Sequence, residues 1–328
     1  MNMLRIFSAF GILLAFVVIG LGAWTRLVDA GLGCPDWPGC YGFITFPTTA
    51  NEIAQAEMLF PDSPVEIEKI IPEVVHRYFA ASLGLLAIVI LTISLKNNQH
   101  IKISSILLAV IIAQGIFGYL TVSLKLYPLI VTGHLFGAII TTSLFLIIFL
   151  NTSNYKISLI RLAEYRHLIF IGFLLVIVQI FLGAWTSTNY AARACLDLPL
   201  CQGQLVPPTN FAEGFDFFQS LGPNYLFGQL SNEARVAIHL THRVGAIIVL
   251  LFSLLLAYKI YSKETKNFVY IFLGILGLQI FLGINNILSS LPLWNAVAHN
   301  MVGVMLFLWF VVMLYFSYKG KNEFNSLS

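Results

Sequence analysis

Two histidine pairs set the chemistry open to this chain. His76, followed by Arg77, is paired with His134, and the arrangement returns as His242, followed by Arg243, with His299. The offset between copies is 166 positions for the first member and 165 for the second. Neighbouring motifs keep step: Gln114 to Gly118 returns as Gln279 to Gly283 after 165 positions, and GAWTRLVDAGLGCPDWPGC from Gly22 returns as GAWTSTNYAARACLDLPLC from Gly183 after 161. Neutral imidazole is a good axial ligand for haem iron, and two imidazoles at one depth on non-adjacent helices grip a flat metal ring from both faces. A lone histidine in such a setting more often makes an interhelical hydrogen bond; it is the duplication that points to a metal or cofactor. Zinc fits less well, since two histidines per repeat fall short of its usual four ligands and no cysteine lies at their depth.

Glu73 and His239 each stand three residues before a His-Arg, and so share a helix face with the histidine that follows. The first repeat thus has a carboxylate where the second has an imidazole. That asymmetry fits one site doing chemistry, with Glu73 set to accept a proton or steer an oxidised carbon, and a second site holding a cofactor; the alternative is that Glu73 faces water. His239 reads as a contact at the cofactor's edge. Arg77 and Arg243, with Arg26 and Arg193 in the same layer, are candidates to pair with haem carboxylates through the guanidinium fork or to snorkel to phosphate headgroups. His100 and His167 fall in or beside loops and read as solvated. Gly20, Gly22, Ala23, Gly115, Gly118, Gly183 and Ala184 allow close approach of helices or of a flat ring. All four cysteines form C-x5-C pairs around prolines, so disulfides Cys34–Cys40 and Cys195–Cys201 are expected in an oxidising compartment. They read as staples ahead of redox-active pairs, and no CxxC motif is present.

The elements that position these residues are membrane helices. Hydrophobic residues make up 58% of the chain and charged residues 10%, which excludes an ordinary soluble enzyme. Runs long enough to cross a bilayer fall at 6–25, 73–95, 102–122, 128–150, 165–186, 235–258, 267–286 and 292–317. The apolar start resembles a signal peptide but runs on too far without a small-residue cleavage pattern, and is read as a retained first span. Two long segments, 26–72 and 187–234, remain outside the spans. Within the first, AQAEMLF suggests a short surface helix over the first site.

Of the 18 basic residues, 11 collect on one side: Arg5, Lys96, Lys102, Lys156, Arg161, Arg166, Lys259, Lys263, Lys266, Lys319 and Lys321. By the positive-inside rule that side is cytoplasmic, so both termini lie inside and both long segments outside, with the histidines near the outer face. The expected fold is all-α: eight transmembrane helices as two tandem four-helix bundles, residues 1–155 and 156–328. Four is an even number, so the bundles enter in the same orientation and are related by a pseudo-twofold along the membrane normal, unlike inverted-repeat transporters. Nothing in the chain suggests nucleic-acid binding.

GAWTRLVDAGLGCPDWPGC, the ExxHR of Glu73 to Arg77, Gly133-His134, His242-Arg243 and Ala298-His299-Asn300 together resemble the haem A synthase family in the same order and over nearly the whole chain. The resemblance implies that the N-terminal bundle receives haem O, with His76 and His134 as iron ligands or substrate-site histidines and Glu73 as the essential carboxylate. It implies that His242 and His299 ligate a resident haem B, that the C8 methyl of haem O is oxidised by successive hydroxylations to the formyl of haem A, and that electrons come from an external donor, passing from the C-terminal haem to the N-terminal one. The implied partners are haem O synthase and the terminal oxidase assembly machinery. The farnesyl tail of haem O implies a site open to membrane lipid, and short loops without a presequence point to a bacterial inner membrane. One rival reading is a di-haem cytochrome exchanging electrons with quinone, which leaves Glu73 unexplained; another is a haem or small-molecule transporter, which predicts access from both sides whereas the polar groups gather at one end.

Overall fold

A computed structural model describes residues 3–153 and 160–327; Lys156 and the expected boundary between 155 and 156 lie outside them. Eight helices among the described residues are long and apolar enough to cross a membrane, as expected. They are α1 (Met3–Leu27), α2 (Ile67–Asn97), α3 (Ile101–Ser123), α4 (Pro128–Asn151), α5 (Arg166–Thr188), α6 (Asn232–Ile260), α7 (Lys266–Leu288) and α8 (Leu293–Leu327). The main difference from the sequence reading is at α2, which starts at Ile67 rather than 73 and so contains Glu73 well inside the helix. Pro72 sits in the opening turns of α2, and its carbonyl accepts from Thr25 Oγ1 of α1 at 3.0 Å. Hydrogen bonds of this kind join helices where lipid offers no hydrophobic drive for association.

The described chain divides into two compact units. The first takes in residues through Ser153 together with the segment Phe217–Gln229, and the second the remainder. Within the first unit α1 packs on α2, α2 on α3, α3 on α4 and α4 back on α1; within the second α5, α6, α7 and α8 repeat that ring. Both rings use a phenylalanine seated on a glycine at the end away from the cysteines: Phe145 against Gly11 in the first, Phe310 against Gly172 in the second. Phe145 is buried among Leu4, Leu14, Ile90, Leu107 and Ile148. The segment Phe217–Gln229 lies on the turn between α3 and α4, where Tyr225 N donates to the Lys125 carbonyl at 3.0 Å and Tyr127 Oη to that of Gln219 at 3.0 Å. The Tyr127 and Tyr225 rings meet edge to face at 5.6 Å.

The surface helix in the first long segment is present as Ala50–Leu59. Thr49 caps it, and Glu52 closes a capping box by accepting from the Thr48 and Thr49 amides at 2.8 and 2.9 Å. These bonds to the ionised form hold the Glu52 carboxyl down at about 2. A lowered folded-state value means that the contribution is present above the ordinary carboxylate range and is lost as pH falls through the folded one. Hydrogen-exchange protection of residues 50–59, measured against the intrinsic amide rate at each pH, should therefore fall as pH is taken from about 4.5 toward about 2, while the spans stay protected. Thr49→Ala should loosen the same helix at neutral pH by about 1 kcal/mol.

Candidate functional site

His76 on α2 and His134 on α4 face each other from helices that are not neighbours in their ring. Their ring centroids are 6.4 Å apart and their planes cross at 82°. Two metal–imidazole bonds of about 2 Å, with ring centres about 1 Å behind the nitrogens, span roughly 6 Å, which is the size of this centroid separation. The Nδ1 atoms of both rings are buried without a protein hydrogen-bond partner, which costs stability unless a bound group answers it. Among the described residues no three of His, Cys, Asp and Glu gather into a metal site. Two imidazoles with unpartnered nitrogens are a donor set that would fit a haem iron.

Each of the four histidines lies over a glycine of the preceding helix. A Cβ at Gly22 of α1 comes within 2.9 Å of His76 Cε1, at Gly118 of α3 within 3.9 Å of His134, at Gly183 of α5 within 3.1 Å of His242, and at Gly283 of α7 within 3.1 Å of His299. Small residues that sequence alone reads as general helix packing thus have a particular use, which is to seat an imidazole. In the second unit two glutamines join the pair. Gln179 Nε2 lies 3.0 Å from His242 Nδ1 and donates to the His242 carbonyl at 3.0 Å. Gln279 Nε2 lies 3.4 Å from His299 Nε2. Gln179 was not legible as a site residue, because its counterpart in the first repeat is Val18.

Glu73 does not face water. It is 5% exposed, its Oε2 accepts from Cys34 N at 3.0 Å, and its Oε1 pairs with Arg77 Nη2 at 2.6 Å. Arg77 Nη1 also donates to the carbonyls of Asp36 at 3.0 Å and Gly39 at 2.5 Å. Arg243 does the same in the second unit, donating to the carbonyls of Leu200 at 2.9 Å and Cys195 at 2.8 Å. Both arginines thus hold the loop between their cysteines. His239 is buried in Glu73's position with its Nδ1 unpartnered, and Arg26 pairs with Asp29 at 3.5 Å.

Both expected disulfides are formed, Cys34–Cys40 and Cys195–Cys201. The two loops share more than cysteines. Asp36 accepts from the Tyr41 and Gly42 amides at 2.6 and 2.8 Å, and Asp197 from those of Gln202 and Gly203 at 2.9 and 2.8 Å. These amide bonds, Gly203 foremost, hold the Asp197 carboxyl below its ordinary range. Tyr41 with Gly42 and Gln202 with Gly203 take positive φ, the backbone of a two-residue hairpin turn that glycine accommodates at its second position. The recurring signal, C-x-D-x-P-x-C-x-G, is present in both copies and marks a built loop. In the first unit Trp37 of this loop also meets Tyr119 of α3 edge to face at 6.1 Å.

The family described as cytochrome oxidase assembly protein matches residues 5–311. The chain is 42% identical over 318 residues to the haem A synthase of Shewanella oneidensis, covering 96% of this chain and 95% of that protein. It is 26% identical over 319 residues to the haem A synthase of a Wolbachia from Brugia malayi, covering 89% and 90%. It is 29% identical over 234 residues to that of Halalkalibacterium halodurans, covering 68% and 72%.

Glu73→Ala leaves the part-buried Arg77 without its counter-charge and the buried Cys34 N without an acceptor, a loss on the order of 1–3 kcal/mol. Cys34–Cys40 should then be reduced and alkylated faster than in the wild type, while Cys195–Cys201 keeps its rate. Glu73→Gln, which retains an oxygen acceptor, should fall between; mass-spectrometric thiol labelling under mild reductant reads all three.

Proposed function

The chain belongs to the cytochrome oxidase assembly protein family of haem A synthases, and we propose that it oxidises the C8 methyl of haem O to the formyl group of haem A. In this reading haem O is bound in the first unit and a resident haem B in the second. When bound, haem iron with oxygen and external electrons supplies the oxidising power that an unactivated methyl demands and that amino-acid side chains lack. The single observation that carries the reading is the facing imidazole pair, 6.4 Å apart, beside a carboxylate that only the first unit has.

His76 and His134 hold the substrate in the first unit, and the glycines beneath them keep both rings in place. His242 and His299, steadied by Gln179 and Gln279, hold haem B. Glu73 is buried beside Arg77, so it presents a held carboxyl group at one edge of the site and acts there as proton acceptor or steering group. Arg77 and Arg243 act on the cofactor layer by fixing their disulfide loops, which close the ends of the two bundles and limit the access of water. The lipid-facing helices leave a farnesyl tail free to remain in the membrane. The two units are read as tandem copies of one four-helix bundle. In a bacterial inner membrane this gives cytoplasmic termini and haem sites near the outer face, in accord with the distribution of lysine and arginine. Haem O synthase supplies the substrate, the oxidase assembly machinery takes the product, and a separate donor provides electrons.

A di-haem electron carrier shares the four histidines but has no use for Glu73 in one unit alone. Haems extracted from membranes making this protein together with haem O synthase distinguish the two. Wild type should yield haem A or its hydroxylated precursor by mass, and Glu73→Ala at least tenfold less. Only haem B and unchanged haem O, from folded and haem-loaded protein supplied with oxygen and reductant, would favour the electron carrier.

A further inference from the structure

We propose that Asn285, Asn286 and Asn295 form a positioning network that retains the haem of the second unit; this rests on the reading of His242 and His299 as that haem's ligands. Asn295 of α8 donates to the Leu282 carbonyl of α7 at 2.9 Å and to Asn286 Oδ1 at 2.7 Å, and its Oδ1 accepts from Asn285 Nδ2 at 2.8 Å. Ser289 Oγ in turn donates to Asn285 Oδ1 at 2.9 Å. One side chain of α8 is thereby fastened to α7 at three points.

The location decides what the fastening does. Asn295 stands one turn before His299 on the same face of α8. Leu282 directly precedes Gly283, the residue on which the His299 ring is seated. The network therefore fixes both halves of that contact, the helix that carries the ligand and the helix that seats it. In the first unit, 165 positions earlier, Leu120, Thr121 and Ile130 occupy the places of Asn285, Asn286 and Asn295. There Thr121 Oγ1 donates to the Gly118 carbonyl of its own helix at 2.7 Å, and Ile130 packs among apolar neighbours around Leu126 and Tyr127. Apolar packing is non-directional and leaves the register of two helices less closely specified than three hydrogen bonds between them. Gln179 against Val18 repeats the asymmetry at the other histidine. The polar contacts belong to the unit that keeps its haem, and their absence to the unit that must exchange substrate for product.

The test uses full-length protein made without haem O synthase, so that the retained haem is haem B, with excess apomyoglobin as haem acceptor and absorbance as readout. Asn295→Ile, which installs the first unit's residue, should speed haem transfer about tenfold or more, the usual consequence of losing a contact that orients a metal ligand. Asn286→Leu removes a single bond and should give a smaller rise, which also guards against a misfolded Asn295 variant. Trp294→Phe on the exposed side of the same turn, 68% exposed, should leave the rate unchanged. Wild-type rates in both asparagine variants, alongside a His242→Ala protein that has lost the haem, overturn the network alone. A His242→Ala protein that keeps the same haem and spectrum overturns the ligand assignment and the network with it.

Discussion

The seating of each histidine on a glycine of the preceding helix is the contact on which both units depend. A membrane offers helices no hydrophobic drive toward one another, so close approach rests on small residues and on polar groups that find partners. At Gly22, Gly183 and Gly283 even a methyl group comes within about 3 Å of an imidazole carbon, closer than packed atoms tolerate without a shift that costs about 1–3 kcal/mol. Glycine at these places brings the helix axes close and clears the room in which the ring lies. The placement of the His76, His242 and His299 rings depends on that clearance.

On this common frame the two units diverge through a few polar substitutions. In the first, Glu73 joins Arg77 and the amide of Cys34 into one buried cluster, so the carboxylate, the cation and the disulfide loop stand or fall together. In the second, His239 replaces the carboxylate and Arg243 holds its loop through the carbonyls of Leu200 and Cys195. Charged groups at membrane depth are costly and persist where they serve a function. A carboxylate kept in one copy only is therefore the clearest chemical difference between the two units. The second unit has instead acquired neutral polar contacts, Gln179 and the asparagines at the end of α7 and α8, which add rigidity without adding charge.

Much of this was legible in the residues themselves. Eight spans follow from apolar runs, because a bilayer demands a fixed length of hydrocarbon-compatible helix. The histidine pairs follow from an offset that barely drifts, and the disulfides from cysteine spacing. Apolar runs do not show the true start of α2, because the stretch before Glu73 is polar and polarity conceals a helix that begins before the hydrophobic layer. Gln179 and Asn295 escaped notice because each is a single polar residue without a counterpart in the other repeat, so the duplication that exposed the histidines was silent about them.

The sequence by itself determined that this is a duplicated eight-span membrane protein with four intramembrane histidines, one unmatched carboxylate and two stapled loops, since periodicity, composition and repetition are properties of the chain alone. Only the tertiary structure decided what those residues do to one another. It turned the glycines into seats for imidazoles, directed Arg77 and Arg243 to loop carbonyls, and buried Glu73 against its cation. It also carried Phe217–Gln229, which is distant in sequence, onto the turn between α3 and α4. The reason is that a side chain's partner depends on which helix face meets which, and that is settled by packing across the bundle, which a one-dimensional pattern does not encode.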